Sequence, residues 1–345
     1  MNESTLEWNG PDLLDLAPVA RADGDLLALD ASGGLHCIDL RDGRTTHLGA
    51  VELPAQTVEN PGAFGLDSRW RLHASADGEF AALVFDGGRH GLVVALAPFR
   101  VALRLDGGDY YEDTVPFSAC FLPLQGETVL IHRSAWNRLD ASDPRSGSLF
   151  TARGPTSYEN GERPPHYLDY FHGLLRPSPS GRLLFDSGWV WQPAGVPCVF
   201  DAAAWLASNV WESDDGTSKR RLALRDDWNL PACWIDDDHI ALGGIAQWDE
   251  EEAENVAAPA GVRIVDVRQG TLAPDRIVVM SAEPKELFSD GRSLFATLAG
   301  DTAIWSLGSG ECVTVFSGFA ATHHHPRCRM LLQALPRRIR IVALD

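Results

Sequence analysis

The 345-residue chain reads as an all-β protein, and three observations carry that reading. Helical periodicity is nearly absent. Short runs rich in Val, Ile, Leu, Phe and Trp alternate instead with turn signals. One unit of four strands recurs at a spacing of about fifty residues.

The first hairpin turn of the unit is its clearest marker. It occurs at Ala22–Gly24, Ala76–Gly78, Leu124–Gly126, Pro179–Gly181, Asp236–Asp238, Ser289–Gly291 and, degenerate, Pro326–Cys328. Successive third positions lie 54, 48, 55, 57, 53 and 37 residues apart, a regularity that chance loops do not produce. Glycine there is expected to supply the positive φ of a tight hairpin. The second turn repeats as well. Gly34–Leu48, Gly261–Leu272 and Asp301–Phe316 are one segment three times, and Trp136–Phe150 is a longer version.

Four strands repeated seven times predict a seven-bladed β-propeller of four-stranded antiparallel blades, one domain over residues 1–345. The physical reason is coverage: a four-stranded sheet has two faces, and only neighbours stacked around an axis bury both. After the seventh turn only two strands remain, beginning at Met330 and Arg337. The N-terminal Thr5–Trp8 segment is expected to supply the missing outer strand and close the ring, removing an open edge.

The charge balance, 29 basic against 48 acidic side chains, gives a net charge of −19. Such a surface repels a phosphate backbone and an anionic bilayer, so neither nucleic acid nor membrane is an expected partner. No apolar stretch reaches the ~20 residues that span a bilayer. The N-terminal segment lacks the basic flank and apolar run of a secretory signal, so the cytoplasm is the expected location; a bacterial origin is expected as well. All but two of the basic residues, Lys219 and Lys285, are arginines, which reads as coding bias. Six cysteines (Cys37, Cys120, Cys198, Cys233, Cys312, Cys328) are scattered singly and read as buried free thiols.

The segment Asp301–Gly318 resembles the third-to-fourth-strand part of a Trp-Asp repeat, with Ile304-Trp305 followed by a turn at Gly310. The chain as a whole is similar to the wider Trp-Asp-repeat and quinoprotein-like propeller group. Ser306 stands where the repeat has Asp, and no Gly-His pair opens the blades, so the Asp–His network of true Trp-Asp repeats is expected to be missing. The resemblance implies recognition or scaffolding; a fold does not fix a function.

Departures from the period mark where function would sit. Three insertions stand out: residues 107–116, 154–173 and 247–261. The middle one carries Tyr158, Arg163, His166, Tyr167, Asp169 and Tyr170, the residue types that recognition surfaces use. Packing between blades is the competing reading for Tyr170 and His172. Trp189 and Trp191, sharing a strand face, are expected in the inter-blade core. The acidic run 248–255 lacks the interleaved Gly of a calcium loop and reads as a solvated loop. Asp201–Val210 is the one helix expected, with Asp201 as its cap.

Catalytic motifs are missing: the sequence has no nucleophile elbow, phosphate loop or dinucleotide fingerprint. The sharpest oddity is His323-His324-His325, expected on the inner strand of the last blade. Two readings follow. The first is a scaffold that binds a protein or peptide of basic character, with no cofactor and no catalysis. The alternative is an enzyme or ligand-binding propeller whose His172, His323 and His325 hold a divalent transition metal at the channel mouth, with His73 and His132 as further candidates.

Overall fold

The computed structural model describes residues 3–56, 62–124, 126–191, 193–226, 228–247, 259–269 and 276–344. The acidic run 248–255 therefore lies outside the described residues. Seven antiparallel sheets are arranged around one axis. From the axis outward, blade 1 is Leu13–Arg21, Gly24–Asp30, Gly34–Ile38 and Thr45–Ala50. Blade 2 is Trp70–Ala74, Phe80–Phe85, His90–Leu96 and Phe99–Asp106. Blade 3 is Ala119–Leu124, Glu127–Ala135 and Arg138–Ser142, its fourth strand reduced to a bridge between Ser142 and Leu149. Blade 4 is Phe171–Pro177, Leu183–Val190, Cys198–Asp201 and Arg220–Arg221, with the short Ala194–Gly195 strand beside its second strand. Blade 5 is Ala232–Trp234, His239–Gly243, Gly261–Asp266 and Arg276–Val279. Blade 6 is Glu286–Ser289, Ser293–Thr297, Thr302–Ser306 and Cys312–Phe316.

Blade 7 contains His323–His325, Met330–Leu335 and Arg338–Ala343, and takes its outer strand, Glu3–Glu7, from the other end of the chain. Glu3 pairs with Val342 and Glu7 with Arg338, so the ring is closed as expected. The Trp8 amide donates to Arg337 O (2.8 Å) and the Leu13 amide to Pro336 O (3.0 Å), tying the closure to blade 1.

Each blade is apolar on both faces because each is covered on both. In Gly24–Asp30, Leu26 and Ala28 pack toward blade 7 while Leu27 and Leu29 pack toward blade 2, following the two-residue period of a strand. Every junction between blades has such a cluster, from Leu83 and Leu92 at the first to Leu332 and Ile341 at the last.

The hairpin glycines do their expected work at Gly78, Gly126, Gly181 and Gly291, all at positive φ. Gly24 does not. A Cβ there would lie 2.5 Å from Ile38 O, so close backbone approach demands this glycine. The expected helix forms over Ala202–Ala207, with the Asp201 carboxylate accepting from the Ala204 amide (2.8 Å). A second short helix, Glu212–Asp215, follows. Four cysteines are buried, Cys328 is half-buried, and Cys312 is exposed on an outer strand.

Trp8 is buried in the cluster that joins blade 7 to blade 1. Trp8→Ala is expected to lower unfolding free energy by about 3 kcal/mol in urea titrations. Thr5→Ala, exposed on the Glu3–Glu7 strand that precedes Trp8, is expected to leave it unchanged. Equal stability of Trp8→Ala and the parent chain would contradict ring closure as a stabilising contact.

Candidate functional site

One mouth of the ring collects the long loops. The segments between the outer strand of one blade and the inner strand of the next emerge there, together with the turns between second and third strands. The 107–116 loop, joining blades 2 and 3, places Tyr110 and Tyr111 on this face. Tyr111 adopts φ 48°, and the Thr114 hydroxyl donates to its carbonyl (2.8 Å), which fixes the turn. The 154–173 loop is held by Asn137, a fully buried side chain in the blade 3 turn. Its amide donates to Thr156 O (2.7 Å) and Leu168 O (3.1 Å), and its oxygen accepts from the Thr156 and Ser157 hydroxyls. Arg138 reaches Gly154 O (2.8 Å), and Arg153, buried, pairs with Asp140 (2.9 Å) and Asp214 (3.2 Å). The loop is therefore anchored at its base by buried polar contacts.

Aromatic rings dominate this face. Phe171, Trp189 and Trp228 form a buried parallel stack, with Trp189 4.6 Å from Phe171 and 4.8 Å from Trp228. The Trp228 indole donates to Thr114 O (3.2 Å), locking the stack to the 107–116 loop. Above the stack lie Trp191, Tyr111, Tyr110, Trp136 and Phe64, joined by ring contacts of 4.7 to 5.3 Å. Tyr158 and Tyr167 extend the chain of rings across the middle loop. Phe64, Tyr110, Tyr111, Tyr158 and Trp191 are each between 39% and 53% exposed, an unusual density of solvent-facing aromatics on a rigid base. Carboxylates surround them: Asp109, Glu159, Glu162 and Asp169 are all exposed.

The residues singled out from sequence divide into three groups. Tyr158, Arg163 and Asp169 are exposed on this face, with the Arg163 guanidinium over the Tyr167 ring (4.9 Å). His166 and Tyr167 are half-buried. His166 stacks on Trp211 (4.2 Å) and meets Asp215 at 3.0 Å. Tyr170 is only 2% exposed; its hydroxyl donates toward Asp186 O and Val196 O and accepts from the Gly188 amide, so it packs blade 4 and presents nothing to a partner. Trp189 is in the core, whereas Trp191 lies beyond the strand end and is exposed, contrary to expectation.

The three histidines of the metal reading do not meet. His172 is fully buried inside blade 4 against Asp186 (2.6 Å), a His–Asp pair that the sequence did not lead one to expect. His323 points to Asp15 of blade 1 (3.0 Å), and His325 bonds Asp25 O (2.8 Å). His324 projects to the opposite face, against Phe295. His172 is enclosed in blade 4, while His323 and His325, on one face of their strand, are each taken up by a different partner on blade 1. His132 lies on the second strand of blade 3, away from the axis. Among the described residues, no group of three or more His, Cys, Asp or Glu side chains is arranged to hold a metal ion.

Sequence reading missed Phe64, Trp136, Asn137 and Trp228. One signal was available: a Trp-Asn pair occurs at 8–9, 136–137 and 228–229, each where the chain turns on this face. It expected the channel but missed its charged lining. The inner strands enclose two adjoining cavities of about 560 and 470 Å³, the first opening at the aromatic mouth beside Trp228 and Asn229. Arg71, Asp86, Arg176 and Glu286 line both. Arg71 pairs with Asp86 (2.7 Å) and Arg69 with Glu286 (2.8 Å). Deeper in, burial opposes the Asp15 charge, but His323, Arg71 and the Leu72 amide outweigh it and hold the carboxyl at about 2. Burial, reinforced by Arg71, pulls His73 down from an ordinary 6.5 to about 4; burial likewise takes His324 to about 4.

These imidazoles stay neutral in the folded ring and take up a proton once the chain unfolds. Their stabilising effect is complete above pH 6.5 and is lost as pH falls toward 4. The Asp15 contribution follows, present above 3.8 and lost toward 2. The His73→Gln/His324→Gln double variant is expected to lose about 2 kcal/mol less than the parent chain between pH 6.5 and 4, the half-open channel moderating each shift. Identical pH slopes in the two urea series would contradict this.

No family model matches the chain, and no curated protein matches it in sequence. Its structure resembles a chain in the crystal structure of the mitotic checkpoint complex, with a TM-score of 0.60 and 12% identity over 99% of this chain and 95% of that one. It also resembles a chain of hydrazine synthase from Kuenenia stuttgartiensis, with a TM-score of 0.64 and 12% identity over 98% and 97% of the two chains. At such identities the likeness shows the fold alone, a seven-bladed β-propeller.

Proposed function

We propose that the chain is a protein- or peptide-binding scaffold of the Trp-Asp-repeat-like propeller type, and that its contact surface is the aromatic mouth. The observation that carries this reading is the continuous cluster of half-exposed rings, Tyr158, Tyr110, Tyr111, Trp191 and Phe64, on the stack of Phe171, Trp189 and Trp228. Rigid rings give large contact area at small entropic cost, because each loses few rotamers on binding. A wide face of this kind suits a segment of polypeptide, and one solved structure of the same fold comes from a multi-protein complex.

The partner is basic. The net charge of −19 raises its encounter rate, and Asp109, Glu159, Glu162 and Asp169 at the rim favour Lys or Arg next to the rings. Arg163 over Tyr167 already shows how a guanidinium sits on this surface. Asp169 and Tyr167 contribute directly, His166 positions the loop through Trp211, and Tyr170 supports it from below.

Selection of displayed peptides on the immobilised full chain tests this reading. Enriched peptides are expected to combine Lys or Arg with an aromatic or aliphatic residue. Their binding, followed by fluorescence anisotropy, is expected to fall at least tenfold in Tyr111→Ala/Trp191→Ala and to weaken with salt. Val313→Ala, on an exposed outer strand of blade 6, serves as the control and should change nothing. Peptides without basic bias, or binding indifferent to the double variant, would contradict the proposal.

A further inference from the structure

The channel throat contains a guanidinium without a direct partner among the described residues. Arg176 lies on the inner strand of blade 4 and lines both cavities. Its Nε is buried without a hydrogen-bond partner, and among the described residues no carboxylate forms an ion pair with its guanidinium. The carboxylates that could serve are already engaged. Asp86 is held by Arg71 and by the Phe117 amide (3.1 Å), Glu286 by Arg69 (2.8 Å), and the exposed Asp67 at the rim lies 4.0 Å from the same Arg69. Asp15, deeper in, is held by His323 and the Leu72 amide. Arg71 adds a like charge nearby, and burial lowers the Arg176 pKa from its ordinary value, with Glu286 opposing. Leaving a guanidinium so placed is costly, and native proteins rarely retain such a group without a ligand for it. Above it on the mouth side, Lys285 is exposed and forms no ion pair among the described residues.

We infer that the throat is a binding site for a small organic anion, whose carboxylate or phosphate group pairs with Arg176 and whose body fills the cavity at the aromatic mouth. The chemistry follows from the lining. A guanidinium presents paired N–H donors that match two oxygens of one oxyanion. The surrounding wall offers Leu174, Pro116, Leu230, Pro231 and the edge of Trp228, apolar surface for a ring or short aliphatic chain. The cavity volume of about 560 Å³ falls in the range of small-molecule sites. Lys285 guards the entrance and draws anions inward against the acidic exterior. This site is independent of polypeptide binding on the rim: it lies in the channel and selects the opposite charge.

Isothermal titration calorimetry of the full chain at low ionic strength tests the inference, with phenyl phosphate, benzoate and inorganic phosphate as probes. Saturable one-to-one binding is expected for at least one of the two aromatic probes, tighter than for inorganic phosphate. Preference for phenyl phosphate or for benzoate identifies the head group. Arg176→Gln is expected to weaken binding at least tenfold. Without any probe it should melt no lower than the parent chain, because a half-buried charge without a direct partner has been removed. Lys285→Gln, a surface change that leaves the fold untouched, should weaken binding about threefold. Absence of binding by all three probes would overturn the inference. Unchanged binding in Arg176→Gln, or a lower melting temperature of that variant in probe-free buffer, would overturn it too.

Discussion

The pairing of Glu3–Glu7 with Arg338–Ala343 is the contact on which the rest of the molecule depends. Each blade buries residues such as Leu26 and Leu27 on opposite faces, so no blade can stand alone and none can be terminal without exposing a core face. Closing the ring removes both problems at once. It joins blade 7 to blade 1 through Leu16, Ile38, Leu332 and Ile339, and it fixes the inner strands around a common axis. The channel, its throat and the clustering of loops at one mouth are consequences of that closure. Arg71, Arg176 and Glu286 come from blades far apart in sequence and meet only because the circle is complete.

The fold was legible because its signals are local. A glycine after an acidic turn, repeated at regular intervals, reports a hairpin wherever the surrounding fold places it; Gly78, Gly181 and Gly291 behave as their spacing indicates. Ring closure was legible by subtraction, since one blade lacked a strand and the N-terminal segment was left over. The aromatic face was only partly legible. Tyr158 and Tyr167 announced themselves by density in one loop, but Phe64, Trp136 and Trp228 come from other loops and join them through packing that no spacing reveals. The histidine run misled for the same reason. His323 and His325 share a strand face, but packing gives each its own partner, Asp15 and Asp25 O, and His172 is enclosed by its own blade with Asp186.

Electrostatics act at two scales in this protein. Over the whole surface the excess of carboxylates repels anions and attracts basic chains. Within the throat cations and carboxylates balance, the acidic side chains are engaged by Arg69, Arg71 and His323, and the Arg176 guanidinium is left without a direct partner among the described residues. A low-dielectric wall strengthens that local charge, while solvent and salt screen the global one. The rim and the channel can therefore select partners of opposite charge within one mouth. Neither requires a moving part: the rim rings rest on a buried stack, and the throat residues are fixed on inner strands.

The central claim is that recognition is confined to the mouth where the inserted loops and the aromatic stack converge. Hydrogen–deuterium exchange of the full chain, with and without a peptide selected against it, tests this most directly. The account predicts slowed exchange in residues 107–116 and 154–173 and around Trp191, with the hairpin turns of the opposite mouth, near Gly78, Gly181 and Gly291, unchanged. Protection at those turns, or along the outer strands of blades 5 and 6, would contradict it.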